Sequence, residues 1–186
     1  MEDKEIVNLY WRRAEEAVSA TAEKYGGYCR AIAYQILGNR SDAEECVNDA
    51  YLGAWNAIPP ACPENLPAFL GKLTRNAALN RWKQNRAQKR GGGQVELALS
   101  ELEECVPDVT SVEQGVEETA LTKAIEAFLY AQPQPRRNIF IRRYWYLIPI
   151  RDLAKEYKMS QSKVKSLLFR MRKELKAHLE KEDFLL

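Results

Sequence analysis

The sequence predicts an all-α protein made of two small helical domains joined by an acidic flexible linker. Three observations lead there. Apolar residues recur at three- and four-residue spacing along most of the 186 residues, and strand signals are almost absent. The formal net charge is only +2, yet the charges are sorted along the chain. Lys72, Arg75, Arg81, Lys83, Arg86, Lys89 and Arg90 stand without an acid between 65 and 95, eight acids stand without a base between 91 and 122, and thirteen bases face only Asp152, Glu156 and Glu174 between 136 and 176. Finally, prolines and glycines gather at the seams between periodic segments rather than inside them.

Taken in order, a first helix is expected from Lys4 to about Tyr25, with Gly26-Gly27 as its stop, and a second from Tyr28 to Leu37, closed by Gly38-Asn39. Ser41-Asp42-Ala43-Glu44 has the S-x-x-E form of a capping box and predicts a third helix running to about Ile58. Pro59, Pro60, Pro63 and Pro67 break the chain before a fourth helix over Ala68 to about Lys89, which ends ahead of Gly91-Gly92-Gly93. Beyond the acidic segment, Ser111-Val112-Glu113-Gln114 repeats the capping pattern and leads a helix to about Ala131, ended by Pro133 and Pro135. A short helix around Ile139, Phe140 and Tyr144 then precedes two helices in 149–176. The expected architecture is four helices, an acidic hinge and four helices. The domains are 1–90 and 113–186, with the linker at 91–112.

Several function classes are disfavoured. No apolar run approaches the roughly 18 residues of a membrane span, and the opening MEDKEIVNLYW is too acidic and polar for a signal peptide, so a cytoplasmic protein is expected. Cys29, Cys46, Cys62 and Cys105 lie far apart without a C-x-x-C, and His178 is the one histidine, which argues against a zinc set. A nucleic-acid enzyme would need a metal cluster or an acid/base pair, and neither is visible. The expectation is no enzyme, no metal and no cofactor.

Three surfaces remain. In 149–176, Ile150, Leu153, Ala154 and Tyr157 form one buried stripe and Val164, Leu167, Leu168, Met171 and Leu175 a second, with Pro149 opening the first helix and Ser160 capping the next. That is a helix-turn-helix. The rest of its second helix, including Ser162, Lys163, Lys165, Ser166, Phe169 and Arg170, is rich in donors for phosphates and base edges, as a helix in the major groove requires. In 42–57, Asp42, Glu45 and Asp49 share one face. Acids in a first turn are favoured by the helix dipole, but Asp49 is two turns in, and an acidic stripe repels phosphates, so it suits a basic protein partner. The helix from Ala68 mixes cations with Asn76, Asn80, Gln84 and Trp82, a combination suited to single-stranded DNA, while Phe69, Leu70, Leu73 and Ala77 read as core.

The ordered pieces SDAEECVNDAYLGAW, FLGKLTRNAALNRW, an acidic linker and SKVKSLLFRMRKEL resemble a bacterial RNA polymerase sigma factor of the two-domain extracytoplasmic-function type, over about residues 25–178. The resemblance implies a sigma region 2-like domain followed by a region 4-like helix-turn-helix. It implies that Asp42, Glu45, Asn48 and Asp49 dock on the clamp helices of the polymerase beta-prime subunit. Lys72, Arg75, Asn76, Asn80, Arg81 and Lys83 would contact the minus-ten element. Ser162, Lys163, Lys165, Ser166, Phe169 and Arg170 would read the minus-thirty-five element, with this domain resting on the beta flap. The partners implied are core polymerase and promoter DNA, with an anti-sigma factor left open and no membrane. The chain departs from the family in its longer first 25 residues, in lacking a Ser or Thr before Pro149, and in its proline-rich loop 58–67. A helix-turn-helix regulator acting without polymerase is the alternative; it leaves the acidic stripe and the second basic helix without a role.

Overall fold

The structure, a computed structural model, describes residues 1–88, 93–106 and 115–182, with the backbone alone at 86–88 and 115–119. Among these residues there are nine helices and no strand: α1 Asp3–Trp11, α2 Glu16–Leu37, α3 Arg40–Ala57, α4 Leu66–Gln88, α5 Gln94–Glu103, α6 Gly115–Ala131, α7 Gln134–Tyr144, α8 Ile150–Glu156 and α9 Gln161–Lys181. The chain forms two compact units, Met1–Gly91 and Gly92–Leu186. None of the described helices is long and apolar enough to cross a membrane.

In the first unit α2, α3 and α4 pack together and α1 lies on α2. Each helix contributes one buried stripe: Cys29, Ile32, Ala33 and Ile36 from α2, Ala43, Cys46, Val47, Ala50, Tyr51 and Ala54 from α3, and Leu66, Leu70, Thr74 and Ala78 from α4. Thr74 is accommodated because its hydroxyl donates to the Leu70 carbonyl at 2.8 Å. Small residues let the helix axes approach. Gly71 is buried where α4 meets α2, and a Cβ there would stand 2.6 Å from the Tyr28 hydroxyl.

The N-terminal segment departs from its expected form. A single helix over 4–25 is replaced by α1 and α2, parted at Arg13, which takes a left-handed φ of 55°. Tertiary contacts hold this corner: the Arg13 guanidinium donates to the Trp55 carbonyl and lies 5.3 Å from the Trp55 ring centroid, with Tyr10 edge-on to the same ring at 6.2 Å. Tyr10 and Thr21 also share a buried hydroxyl pair at 2.9 Å. Gly26-Gly27 does not stop the helix, since α2 runs through both. Gly26 is buried against Tyr51, and this packing overrides the roughly 1 kcal/mol helix penalty of a glycine. Gly38 does end α2, in a left-handed conformation with φ 66°.

Two helix starts also move. Asn39 rather than Ser41 caps α3, its side chain accepting from the Ser41 amide at 2.9 Å, so the helix begins at Arg40. α4 begins at Leu66 and takes Pro67 into its first turn, where the missing N–H has no intrahelical partner.

The larger correction concerns the linker. Residues 94–103 of the expected flexible segment form α5, which packs on α7 inside the second unit. Val95, Ala98 and Cys105 are buried there, an apolar stripe hidden in the sequence by the acids around it. The capping pattern expected at Ser111 lies outside the described residues, as does its first turn. The two helices expected in 149–176 form as α8 and α9: Pro149 is the N-cap of α8, and the Ser160 side chain accepts from the Lys163 amide at 3.2 Å. Ile150, Leu153, Ala154, Val164, Leu168, Met171 and Leu175 are buried as the stripes require, while Tyr157 and Leu167, at their edges, are half-buried. Leu179 extends the second stripe by one turn.

Lys158, in the turn between α8 and α9, holds φ at 51° although it is not a glycine. Lys158→Gly is therefore expected to raise stability by about 0.5–1 kcal/mol in denaturant unfolding, and Lys158→Val to lower it by a similar or larger amount. In the first unit, Gly71→Ala is expected to lose about 1–3 kcal/mol, because the Tyr28 ring has to move; an unchanged unfolding midpoint would contradict the close α2–α4 approach.

Candidate nucleic-acid interface

On α9 the buried stripe faces inward and leaves Gln161, Ser162, Lys163, Lys165, Ser166, Phe169 and Arg170 exposed. All six residues expected to read duplex DNA thus lie on one side of one helix. Lys165, Ser166, Phe169 and Arg170 line a shallow concavity of about 300 Å³. Phe169 is 48% exposed, with Lys173 Nζ 4.8 Å and the Arg172 guanidinium 5.9 Å from its ring centroid. Arg170 Nε donates to the Ser166 carbonyl at 3.3 Å, which turns its guanidinium along the helix. Arg172, which belongs to the same basic set in sequence, points elsewhere: only 13% of its side chain is exposed, and it bonds to Tyr144.

On α4 the expected set divides. Lys72, Asn76, Asn80 and Lys83 are exposed and, at spacings of four, four and three, form one stripe. Arg75 is half-buried, and desolvation lowers its pKa from the ordinary arginine value, a poor position for a phosphate contact. Arg81 turns toward α3, where it pairs with Glu45 and stands 3.8 Å from Asp42. Asn85 joins the same group, its amide donating to Asp42 at 3.1 Å. No local pattern signals this, because Arg81 and Asp42 meet only when α3 and α4 pack.

The acidic stripe on α3 is therefore not uniform. Asp42 and Glu45 already hold an intramolecular cation, while Glu45, Asn48 and Asp49 are exposed. Leu52 lies one turn beyond Asn48 and Asp49 on that side and is 58% exposed. Sequence reasoning left Leu52 out; its three-residue spacing from Asp49 is the signal that would have placed it on this face. Trp82, whose indole could serve as a core anchor or as a stacking platform, is half-buried.

Residues 21–88, which include most of α2 and all of α3 and α4, match the family model for sigma-70 region 2. This segment of the first unit is similar to sigma-70 region 2. That match supports a sigma-factor role in promoter recognition by RNA polymerase, with binding to core enzyme and promoter DNA. No curated protein matches the chain. Residues 1–20 lie ahead of the matched segment, yet they are tied to it through Tyr10–Thr21, Arg13–Trp55 and the Asp3 carboxylate, which accepts from Lys24 Nζ and the Tyr25 hydroxyl, each at 2.6 Å. These two bonds hold the Asp3 carboxyl below the ordinary carboxylate range.

Among the described residues no cluster of three or more His, Cys, Asp or Glu side chains is arranged to hold a metal ion. The cysteines are free thiols, with Cys29, Cys46 and Cys105 buried and Cys62 exposed in the proline-rich loop. Burial pushes the Cys46 and Cys105 thiols up to about 11, with Asp49 and Asp42 adding to the rise at Cys46. A maleimide at pH about 8 should therefore label Cys62 alone in the native protein, and the other three only after unfolding. Labelling of Cys46 or Cys105 at a rate comparable to Cys62 would show that α3 or α5 is not packed as described.

Proposed function

We propose that the chain is a two-domain sigma factor of the extracytoplasmic-function type. In this reading the exposed side of α3, with Glu45, Asn48 and Asp49 and with Asp42 at its start, docks on the basic clamp helices of polymerase. Lys72, Asn76, Asn80 and Lys83 capture the opened minus-ten strand, their cations following the backbone and their amides reading splayed bases. Arg75 and Arg81 take supporting parts, since one is half-buried and the other is engaged with α3. α9 lies in the major groove of the minus-thirty-five element, presenting Ser162, Lys163, Lys165, Ser166, Phe169 and Arg170. The second unit rests on the beta flap.

This reading is supported by one chain holding both a segment that matches the sigma-70 region 2 model and a pair of helices, α8 and α9, of which the second has a basic exposed face. A regulator acting without polymerase needs only the second. Run-off transcription with core polymerase on a random promoter library tests the proposal: selective initiation at sequences sharing two separated elements is expected, and no initiation above core alone would overturn it.

The docking face has its own test. Glu45→Arg with Asp49→Arg should lower affinity for core polymerase by about tenfold or more while circular dichroism stays that of the parent, because surface charges on a helix change stability by only about 0.5 kcal/mol. Undiminished binding by the folded variant would remove α3 from the interface.

A further inference from the structure

The one nearly buried group of charges among the described residues does not belong to region 2. It lies in the second unit, where α5, α7 and α9 meet. Arg143 of α7 has a fully buried side chain. Its Nη1 donates to the Ile148 carbonyl at 3.3 Å and to Gln94 at 3.5 Å, and its Nη2 to Glu101 at 3.4 Å. Gln94 and Glu101 are two turns apart on one side of α5, so this arginine is gripped from both ends of that helix. Its Nε finds no partner among the described residues, which leaves Glu101 as its sole anionic acceptor there.

Glu101 has a second set of bonds. The Tyr144 hydroxyl donates to its other oxygen at 3.0 Å and in turn accepts from Arg172 Nη1 at 2.5 Å, while Arg172 itself stands 3.5 Å from Glu101. Burial and the neighbouring carboxylate both raise the Tyr144 pKa, so its proton stays in place to donate. Arg172 is on α9, three residues after Phe169, and its guanidinium lies against the Phe169 ring. Leu97, Glu101, Lys165, Leu168, Phe169 and Arg172 border one cleft of about 370 Å³. A continuous chain of contacts thus runs from the acidic helix to the exposed ring on the candidate reading face. Nearly buried polar networks of this kind fix geometry, since each member lost leaves another without its partner.

We propose that Glu101 of α5 is a positioning residue for DNA reading: through Tyr144 and Arg172 it sets the Phe169 ring and the adjoining face of α9 against the upstream promoter element. α5 is then a brace of the reading unit. This rests on the sigma-factor reading for the identity of the DNA, and on the contacts within the second unit for the mechanism.

The test uses the full-length chain with Glu101→Gln, which removes the charge but keeps an acceptor for Tyr144, and Tyr144→Phe, which keeps both charges and removes only the relay hydroxyl. Two measurements are made on each. In reconstituted holoenzyme, initiation is compared on library-selected promoters with matched and scrambled upstream elements, the downstream element held constant. In free protein carrying 4-fluorophenylalanine at position 169, the ¹⁹F resonance reports the setting of the ring without polymerase or DNA. For variants that circular dichroism shows folded, the expected result is a discrimination ratio lowered by about three- to tenfold, part of the range that one good base contact supplies, together with a shifted or broadened ¹⁹F signal. A purely structural role would lower the melting temperature and leave the ratio of the folded protein unchanged, which overturns the proposal. A higher ratio or tighter upstream binding overturns it as well, since α5 would then be a cover on the reading face. Should the parent holoenzyme initiate nowhere, the sigma-factor reading fails, and the ¹⁹F spectra still decide whether Glu101 sets Phe169, an unchanged signal again overturning it.

Discussion

A guanidinium withdrawn from water has to find acceptors, and in the second unit this constraint arranges everything around it. Arg143 takes the Ile148 carbonyl from the segment before α8, Gln94 and Glu101 from α5, and shares Glu101 with Tyr144 and Arg172. Removing one partner of such a group is far more damaging than removing an exposed pair, because the charge left behind stays desolvated. An acidic segment that composition marks as a solvated tether thereby becomes a packed helix. Its acids divide by position, with Glu101 half-buried in the network and Glu103 exposed.

The first unit shows the milder form of the same competition. Arg81 lies between two surroundings, the exposed polar stripe of α4 and the acids of α3, and it pairs with Glu45 and Asp42. The groups remain partly exposed, so the pairing is of the surface kind, worth at most about 1 kcal/mol and weakened further by salt. It biases these side chains without committing them. A basic protein docking on α3 and a phosphate approaching α4 would draw on opposite ends of this same pair.

Much of the fold was legible because short amphipathic helices announce themselves. The stripes at Ile150, Leu153 and Ala154 and at Val164, Leu168, Met171 and Leu175 are buried as their spacing demands, and the exposed remainder of α9 follows by elimination. Three of the differences between the expected and the observed helices share one cause. Arg13 breaks a helix without a Pro or Gly because Trp55 holds it, Gly26 fails to break one because Tyr51 covers it, and Val95 and Ala98 build α5 because α7 offers a surface. In each case a residue far along the chain overrode the local preference.

The sequence by itself determined the helical class, the division into an N-terminal and a C-terminal helical unit, the helix pair α8 and α9 with its Ser160 cap, and the chemistry on the outward side of α9, since periodicity and capping are properties of neighbours in the chain. The tertiary structure alone decided which of those polar groups stay available. Arg172 and Arg81 look like Lys165 and Lys72 in the sequence, but the first is drawn inward by Tyr144 and Glu101 and the second by Glu45, whereas Lys165 and Lys72 remain exposed. The reason is electrostatic: a long cationic side chain goes to an anionic acceptor within reach, and which acceptor is within reach depends on the packing of helices that are distant in sequence.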